Sequence, residues 1–337
     1  MTAWGDVVTR ARGLSAHLLR AAQYAPLCAS ESVSAFAAQL AALQLARAPG
    51  AGVRADEHAI ELVLRRRAGA RLRVLARWAG DRREQLAPLF DDEDRRALRA
   101  LLRGAVGGVP PEVRLSGLIP TPTLPVRALE QLAHAGNVAT IAAQLLAWRH
   151  PFGAALAAEG RRQRPDPLEL DMTLARTYAH RARGVARSGD AAMRLFVSRV
   201  LDLENLWAAL VLAEHRTDVD PASVFVPGGQ IVTGDDLRAA ATSGSVAKVA
   251  ARLAPRVVGT PLAVALAAGR RPADDGALDA LVREFRRFAL REPLGTAPVI
   301  LFVLRQRAEL RNLLRILWGI SLGVPRAAIE RAVGAAA

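Results

Sequence analysis

The sequence predicts an all-α protein, and three observations support this prediction. Alanine, leucine and arginine dominate the 337 residues, and all three are good helix formers. Aromatic residues make up only 4% of the chain, and the alternation of Val, Ile and Thr that is typical of strands is scarce. The apolar fraction of 51% is ample for a packed core, so a disordered chain is excluded.

The periodicity of apolar residues places the helices of the first half of the chain. A break at Pro49-Gly50 separates the second helix from a long arginine-rich region. Five prolines between residues 110 and 125 predict a loop, because proline lacks an amide donor and biases the preceding residue away from the helix. The predicted helices are 3–22, 31–47, 55–89, 91–106, 126–134, 137–149 and 152–159.

The second half of the chain follows the same plan. A hydroxyl at Thr233, three residues before Asp236, predicts a capped helix start after a Pro/Gly loop at 221–234. Each unit is therefore two long helices, a Pro/Gly turn and a group of short helices, except that the chain ends early in the last unit. The main helices predicted here are 168–187, 189–214, 276–290, 295–319 and 325–334.

A five-residue motif occurs three times at a nearly constant spacing. It reads Asp202-Leu203-Glu204-Asn205-Leu206 and Glu309-Leu310-Arg311-Asn312-Leu313, with a weaker copy at Asp94-Arg95-Arg96-Ala97-Leu98. Position 312 minus 205 gives 107, and 205 minus 97 gives 108. A fixed period of this size indicates that one helical unit is repeated along the chain.

The repeat extends far enough to divide the whole chain. The N-terminal segment matches the short helices of the first copy at an offset of 105, as in Val33 with Val138 and Leu40 with Leu145. The N-terminus would therefore complete the last repeat and close a ring of three. The predicted units are residues 50–162, residues 163–270, and residues 271–337 together with 1–49.

The motif residues are interpreted as structural rather than catalytic. An acid and an asparagine three positions apart share one helix face, where the asparagine can bond a neighbouring backbone. Gly228-Gly229-Gln230 resembles the Gly-Gly-Gln of translation release factors, but it occupies a repeat turn. The structural candidates are Asp94, Asp202, Asn205, Glu309, Arg311 and Asn312, with Pro227, Gly228 and Gly229 in the turn.

The composition restricts the partners. The net charge is +14, Lys248 is the single lysine among the 46 basic residues, and the arginines are spread along helices instead of forming a basic block. This distribution favours solvated helix faces, for example Arg65-Arg66-Arg67, Arg71, Arg73 and Arg77, over a nucleic-acid-binding stripe. A basic helical nucleic-acid-binding protein stays open as an alternative. No uninterrupted apolar stretch of about 20 residues is present to span a bilayer.

No pattern for catalysis, cofactor binding or metal binding is found in the sequence. The six histidines form no close pair, and the lone Cys28 can build neither a disulfide framework nor a typical zinc site. Phosphate-cradling and nucleophile-elbow motifs are also missing. The sequence therefore predicts a non-enzymatic protein without a cofactor, although an unrecognised helical enzyme remains a third hypothesis.

Two blocks of residues resemble one known family. Leu201 to Leu206, followed by Ser223 to Gly229, is similar to the signature of the C subunit of bacterial and archaeal V/A-type ATPases, whose eukaryotic counterpart is the d subunit of the vacuolar ATPase. The C-terminal stretch from Pro293 to Pro325 resembles the ending of that family. Arg10, Arg12, Leu18-Leu19 and Tyr24 look like its opening helix.

The resemblance implies a fold and a role. It implies a funnel-shaped, all-helical protein of three similar bundles around a pseudo-threefold axis, located peripherally at the cytoplasmic face of the membrane. It further implies a non-catalytic rotor role, in which the protein joins the central shaft, made of the D and F subunits, to the proteolipid ring and transmits torque. The chain departs from the family pattern at Ala97 and in its heavy arginine content, which leaves a divergent paralogue without a rotor role as a further alternative.

Overall fold

The computed structural model describes residues 4–45, 56–215, 219–268 and 273–333, and every regular element in these ranges is a helix. The prediction of an all-α protein is therefore confirmed. The buried apolar side chains form one cluster that extends along the chain from Trp4 to Ile329. No helix in these ranges combines the length and the apolar character that crossing a membrane requires.

The N-terminal segment folds as short helices. Ser32 begins one of them as an N-cap, since its hydroxyl oxygen accepts a hydrogen bond from the Ala35 N–H at 3.1 Å. Cys28 is a free, buried thiol. These elements are α1 (Gly5–Ala16), a 3₁₀ turn (Ala21–Gln23), α2 (Tyr24–Cys28) and α3 (Val33–Ala42).

The break between the next two long helices lies about ten residues earlier than predicted. Gly80 has a φ of 54°, which ends the helix, and Pro88 lies in the first turn of the following helix, where its missing N–H is tolerated. Gly80 and the polar run from Asp81 to Gln85 were a usable signal for this break, since glycine commonly ends a helix. The elements are α4 (Glu57–Ala79), a 3₁₀ segment (Gly80–Leu86) and α5 (Ala87–Val106).

Short helices follow α5, as predicted, with one addition in the proline-rich region. Pro111 starts a single helical turn there, since proline is well suited to a first helical position. Asn137 caps a later helix by accepting a hydrogen bond from the Thr140 N–H at 2.8 Å. The elements are α6 (Pro111–Arg114), α7 (Val126–His134), α8 (Val138–Ala147) and α9 (Gly153–Gly160).

The middle of the chain repeats this order of long and short helices. The predicted cap at Thr233 is confirmed, because the Asp236 carboxylate accepts hydrogen bonds from the Thr233 N–H at 2.9 Å and from its hydroxyl at 2.8 Å. The elements are α10 (Pro167–Ser188), α11 (Ala191–His215), α12 (Pro221–Val224), α13 (Gly234–Ser243), α14 (Val246–Val257) and α15 (Pro261–Ala268).

Three helices complete the described chain: α16 (Ala273–Arg291), α17 (Ala297–Ser321) and α18 (Arg326–Ala332). Helix α1 packs against α17 and α4, and α2 packs against α18, so the N-terminal helices lie on the C-terminal ones. The predicted unit boundary at 162/163 falls between α9 and α10. The boundaries at 49/50 and 270/271 lie outside the described residues.

Several arginines correct the interpretation of solvated helix faces. Arg65 and Arg71 are buried, whereas Arg73 and Arg77 are exposed. The Arg65 guanidinium donates to the Leu115 carbonyl oxygen, and Arg71 reaches the opposite end of the chain. The sequence misled here because a long arginine stem packs along apolar neighbours while its donors find distant partners.

Candidate functional site

Asp202 on α11 holds the loop that follows its own helix. The carboxylate is fully buried and accepts hydrogen bonds from the backbone N–H groups of Gln230 at 3.0 Å, Ile231 at 2.9 Å and Val232 at 3.0 Å. The Ser198 hydroxyl lies 3.4 Å from the same carboxylate. One buried side chain therefore satisfies three backbone donors that have left helical geometry.

Asn205, one helical turn further along α11, holds the same loop four residues earlier. Its side-chain amide donates to the Val226 carbonyl oxygen at 2.8 Å, and its side-chain oxygen accepts from the Val226 N–H at 2.9 Å. The asparagine side chain thus pairs with the backbone as a second strand would. Asp202 and Asn205 act together on the loop from 226 to 232.

The glycines of this loop permit its close approach to α11. Gly228 has a φ of 123°, a conformation that side chains with a Cβ atom rarely adopt. A Cβ atom on Gly229 would collide with the Asp202 carboxylate. Pro227 and the two glycines therefore form a tight turn against Asp202, and the Gly-Gly-Gln segment has a structural explanation.

We expect Gly229→Ala to lower the free energy of unfolding by about 1–3 kcal/mol, because the added methyl group overpacks the turn against Asp202. Gly184→Ala is the matched control, since a Cβ atom at Gly184 on α10 meets no atom within 4 Å. The control is expected to be neutral or to stabilise by up to about 1 kcal/mol. Urea denaturation of both variants measures the difference, and equal effects would contradict the close approach.

The third motif copy holds the N-terminal segment. Glu309 on α17 accepts a hydrogen bond from the Leu19 N–H at 2.8 Å and pairs with Arg71 of α4. Asn312 shares a hydrogen bond with the side chain of Tyr24. The acid and the asparagine of this copy therefore contact residues almost 300 positions away in the sequence.

Arg311, the remaining residue of the third motif, joins α17 to α16. Its guanidinium pairs with Asp279 at 2.7 Å and also reaches the Asn312 side-chain oxygen at 3.2 Å. The pair is largely buried, since 13% and 15% of the two side chains are exposed. Arg311 therefore fixes the packing of two helices that are adjacent in the sequence.

In the first copy of the motif, the acid bonds to side chains, whereas in the second copy it bonds to backbone N–H groups. Asp94 on α5 accepts hydrogen bonds from the hydroxyls of Thr121 and Thr123, and its carboxylate lies 3.2 Å from His150 Nε2. His150 Nδ1 accepts from the Phe152 N–H, so its proton is on Nε2 and is donated to Asp94. Sequence reasoning missed these three partners, although the two threonines that flank a proline were a usable signal.

Asp94 belongs to a run of four acids, Asp91 to Asp94, that are all buried. Asp92 pairs with Arg95 at 2.9 Å within α5 and with Arg307 of α17 at 2.8 Å. Glu93 also pairs with Arg307. Charges at this depth require partners, and the run finds them on several helices.

The same stretch of α5 reaches α11. Glu204 pairs with Arg95 at 2.5 Å and with Arg99 at 3.0 Å. Burial, the largest single effect, raises the pKa of Glu204. The two arginines together lower it by more than burial raises it, and the net result is a pKa of about 2. We call Asp92, Glu93, Arg95, Glu204 and Arg307 the central ion-pair cluster. It joins the three motif-bearing helices α5, α11 and α17.

Asp91, the first member of the acidic run, pairs with a single arginine. Burial raises the pKa of Asp91 to about 6, although the Arg181 guanidinium at 2.9 Å lowers it in part. The folded protein therefore holds a proton on Asp91 more tightly than the unfolded chain does. Stability from this residue is present below pH 4 and declines as the pH rises towards 6.

We expect the stability of the wild type relative to Asp91→Asn to fall between pH 4 and pH 7, by up to roughly 3 kcal/mol. The asparagine keeps a hydrogen-bond acceptor for Arg181 and cannot ionise, so the comparison isolates the titration of this carboxyl group. Urea denaturation of both proteins across this pH range measures the difference. A difference that is constant or that rises with pH would contradict the prediction.

A cleft of about 570 Å³ opens between α5 and α17. The Arg307–Asp92 pair lies at one end of the cleft. From this pair onward, the walls are formed by successively later residues of both helices. The two helices therefore leave the ion pair in the same direction. The walls include Glu93, Arg96, Ala97, Ala100, Arg307, Leu310, Arg311, Leu314, Arg315 and Trp318, and residues 116–119 contribute as well.

The chemistry of the cleft is that of a binding surface. Apolar side chains such as Leu310 and Leu314 alternate with arginines along α17. Across the described part of the chain, no group of three or more His, Cys, Asp or Glu residues is arranged to hold a metal ion. The cleft therefore offers apolar area bordered by arginines that have partners within the chain.

Comparison with known proteins extends over nearly the whole chain. The family model "ATP synthase (C/AC39) subunit" matches residues 7–332. A protein of Haloferax volcanii, named as the C subunit of an A-type ATP synthase, is 25% identical over 279 residues, which cover 80% of each chain. The protein of the same name from Haloquadratum walsbyi is 25% identical over 275 residues, or 79% of each chain. The chain belongs to the ATP synthase (C/AC39) subunit family.

Proposed function

We propose that this chain is the non-catalytic component that joins the central shaft of an A-type or V-type ATPase to its membrane rotor. In this role it binds the D and F subunits of the shaft on one side and the proteolipid ring on the other, at the cytoplasmic face of the membrane, and transmits torque. The observation that carries the proposal is the family match over residues 7–332, together with two relatives named as the C subunit of an A-type ATP synthase that align over about four-fifths of both chains.

The cleft between α5 and α17 is our candidate for the shaft site. A groove with apolar walls suits an inserted helix of the shaft. Arg96, Arg311 and Arg315 border the cleft and have partners within the chain, namely Asp92, Asp279 and the Ala332 carbonyl oxygen. The central ion-pair cluster at one end of the cleft ties α5 to α11 and α17, which suits a part that must transmit force without deforming.

We also propose the ring of three units, 50–162, 163–270, and 271–337 with 1–49. Two contacts support it. The Asp92–Arg307 pair joins two positions that are 215 residues apart, which is the sum of the two repeat spacings of 107 and 108, so the two positions are equivalent in the repeat. In addition, Glu309 and Asn312 bind the N-terminal segment, in the way that Asp202 and Asn205 bind the loop after their own helix. An experimental structure in which the units superpose by rotations of about 120° would establish the ring, and unlike units would refute it.

Co-purification tests the rotor role. The tagged chain, expressed with the D and F subunits and the proteolipid ring, is expected to recover all of them in fixed stoichiometry. Failure to recover any of them, with all partners present and folded, would refute the role.

A gel-shift series at increasing salt tests the nucleic-acid alternative, which predicts an affinity that falls steeply with salt. The ion pairs formed by Arg95, Arg99 and Arg307 leave fewer arginines for a polyanion.

We expect Ala100→Trp to lower the affinity for the D–F shaft by about tenfold or more, because an indole at this exposed cleft position occupies space that the shaft needs. Ala143→Trp on the exposed face of α8 is the matched control and is expected to bind normally. Titration calorimetry with purified D–F complex measures both. Ring binding should be unchanged in the two variants, and normal D–F binding by Ala100→Trp would exclude the cleft as the shaft site.

A further inference from the structure

A second surface, away from the cleft, exposes large apolar side chains. Leu290 and Leu294 lie at the connection between α16 and α17 and are 79% and 69% exposed, and Trp78 near the end of α4 is 48% exposed. Single exposed apolar residues are ordinary, but a group on one surface indicates a contact.

Helix α1 joins these three side chains into one surface. The Arg10 guanidinium lies over the Trp78 ring, 5.6 Å from its centroid, and Arg12 donates to the Pro293 carbonyl oxygen at 3.0 Å. Trp78 and the α16–α17 connection are therefore on the two flanks of one helix. We call Arg10, Arg12, Trp78, Leu290 and Leu294 the α1 surface.

The α1 surface is basic as well as apolar. Arg10, Arg12 and Arg291 are exposed there. The acids nearest along the chain are Asp6, whose carboxylate is bound by Arg82 at 2.6 Å, the half-buried Glu292, and the exposed Asp81 and Glu84. Arg77 and Arg83 are also exposed near Trp78 in the sequence, so the exposed guanidinium groups outnumber the available carboxylates, in keeping with the net charge of +14.

We propose that the α1 surface binds an anionic lipid bilayer, with arginines on the headgroups and with Trp78, Leu290 and Leu294 in the interfacial layer. Two exposed leucines and a tryptophan beside arginines suit a fluid interface, whereas a stable protein partner requires about 800 Å² of complementary surface on each side. Tryptophan and arginine are both favoured at the membrane–water interface. This inference does not depend on the shaft or the ring.

Vesicle flotation of the purified full-length chain tests the proposal. Vesicles of phosphatidylcholine with about 30% phosphatidylglycerol are expected to bind the protein, whereas pure phosphatidylcholine vesicles bind it weakly, and added salt should reduce binding. Arg10→Gln with Arg12→Gln is expected to lower the partition coefficient about 25-fold, or about fivefold for each arginine. Leu290→Ser with Leu294→Ser should lower it about tenfold at unchanged charge.

Leu322→Ser with Val258→Ser is the matched control, since these residues are 74% and 76% exposed elsewhere on the chain. The control is expected to keep wild-type binding, and thermal denaturation checks that all variants are folded. The proposal is overturned if anionic vesicles do not bind, or if the control loses as much binding as the leucine variant. It is also overturned if the leucine variant binds normally while polyglutamate competes fully, because the surface then recognises an acidic polypeptide.

Discussion

Asp92→Ala is expected to lower the free energy of unfolding by about 3–5 kcal/mol, because it removes one partner from a buried ion pair. The Asp92 carboxylate is fully buried and neutralises Arg95, which is 1% exposed, and Arg307. Burial, the largest effect, acts to raise the pKa of Asp92, but Arg96, Arg307 and Arg95 together hold it well below its usual range. Alanine would leave buried guanidinium groups without this carboxylate.

Urea denaturation near pH 7 measures the effect, and Asp235→Ala is the matched control. Asp235 pairs with Arg238 on an exposed face of α13, where more than two-thirds of each side chain is accessible to solvent. Such a pair contributes less than about 1 kcal/mol. Losses of the same size in both variants would show that the central ion-pair cluster does not hold α5 and α17 together.

The stability contributed by Asp92 should also depend on pH in a direction opposite to that of Asp91. Because the pKa of Asp92 is lowered on folding, its contribution is present above pH 4 and is lost as the pH falls. The pKa values of these adjacent residues on one helix are therefore shifted in opposite directions. The difference arises because Asp92 is near three arginines and Asp91 contacts one.

The sequence was sufficient to predict most of the helices and to show that the motif recurs. Apolar periodicity is a local property, so α8, α10 and α17 lie close to their predicted ranges. The three-residue spacing of Asp202 and Asn205 implied one shared helix face. It also implied a backbone partner for the asparagine, which the structure identifies as Val226.

The pairing of charges could not be predicted from the sequence. Asp92 and Arg307 are 215 positions apart, and periodicity assigns each residue to a helix face without identifying the helix it meets. The four acids from 91 to 94 point in all directions around α5, which is possible only because α5 is buried on every side at this level. That burial depends on tertiary packing.

The three motif copies show why a recurring sequence need not give recurring contacts. Asp202 accepts from three backbone donors, Asp94 from two hydroxyls and a histidine, and Glu309 from a backbone donor and an arginine. Each carboxylate satisfies the donors that its own loop presents, so the helix position recurs while the partners differ. The longer side chain at 309 reaches a segment that comes from the opposite end of the chain.

Asp202→Ala is expected to lower the free energy of unfolding by about 3–5 kcal/mol, because it leaves three backbone N–H groups without their acceptor in a closed turn. Each unsatisfied donor costs about 1–3 kcal/mol when buried, although entry of water reduces the sum. Asp202→Asn should lose less, since its amide keeps one oxygen acceptor. That substitution also brings a donor against the backbone donors.

Hydrogen exchange shows where in the chain Asp202→Ala acts and how large its effect is. The amides of Gln230, Ile231 and Val232 should lose protection in Asp202→Ala, while amides in α4 and α17 follow only the global change in stability. Asp220→Ala is the control, because Asp220 caps the short α12 at an exposed site by accepting from the Ala222 N–H. Its removal costs about 1 kcal/mol and should leave residues 230–232 protected. Retained protection in Asp202→Ala would mean that the turn is held by Asn205 and its glycines, and that the acid of the motif is dispensable.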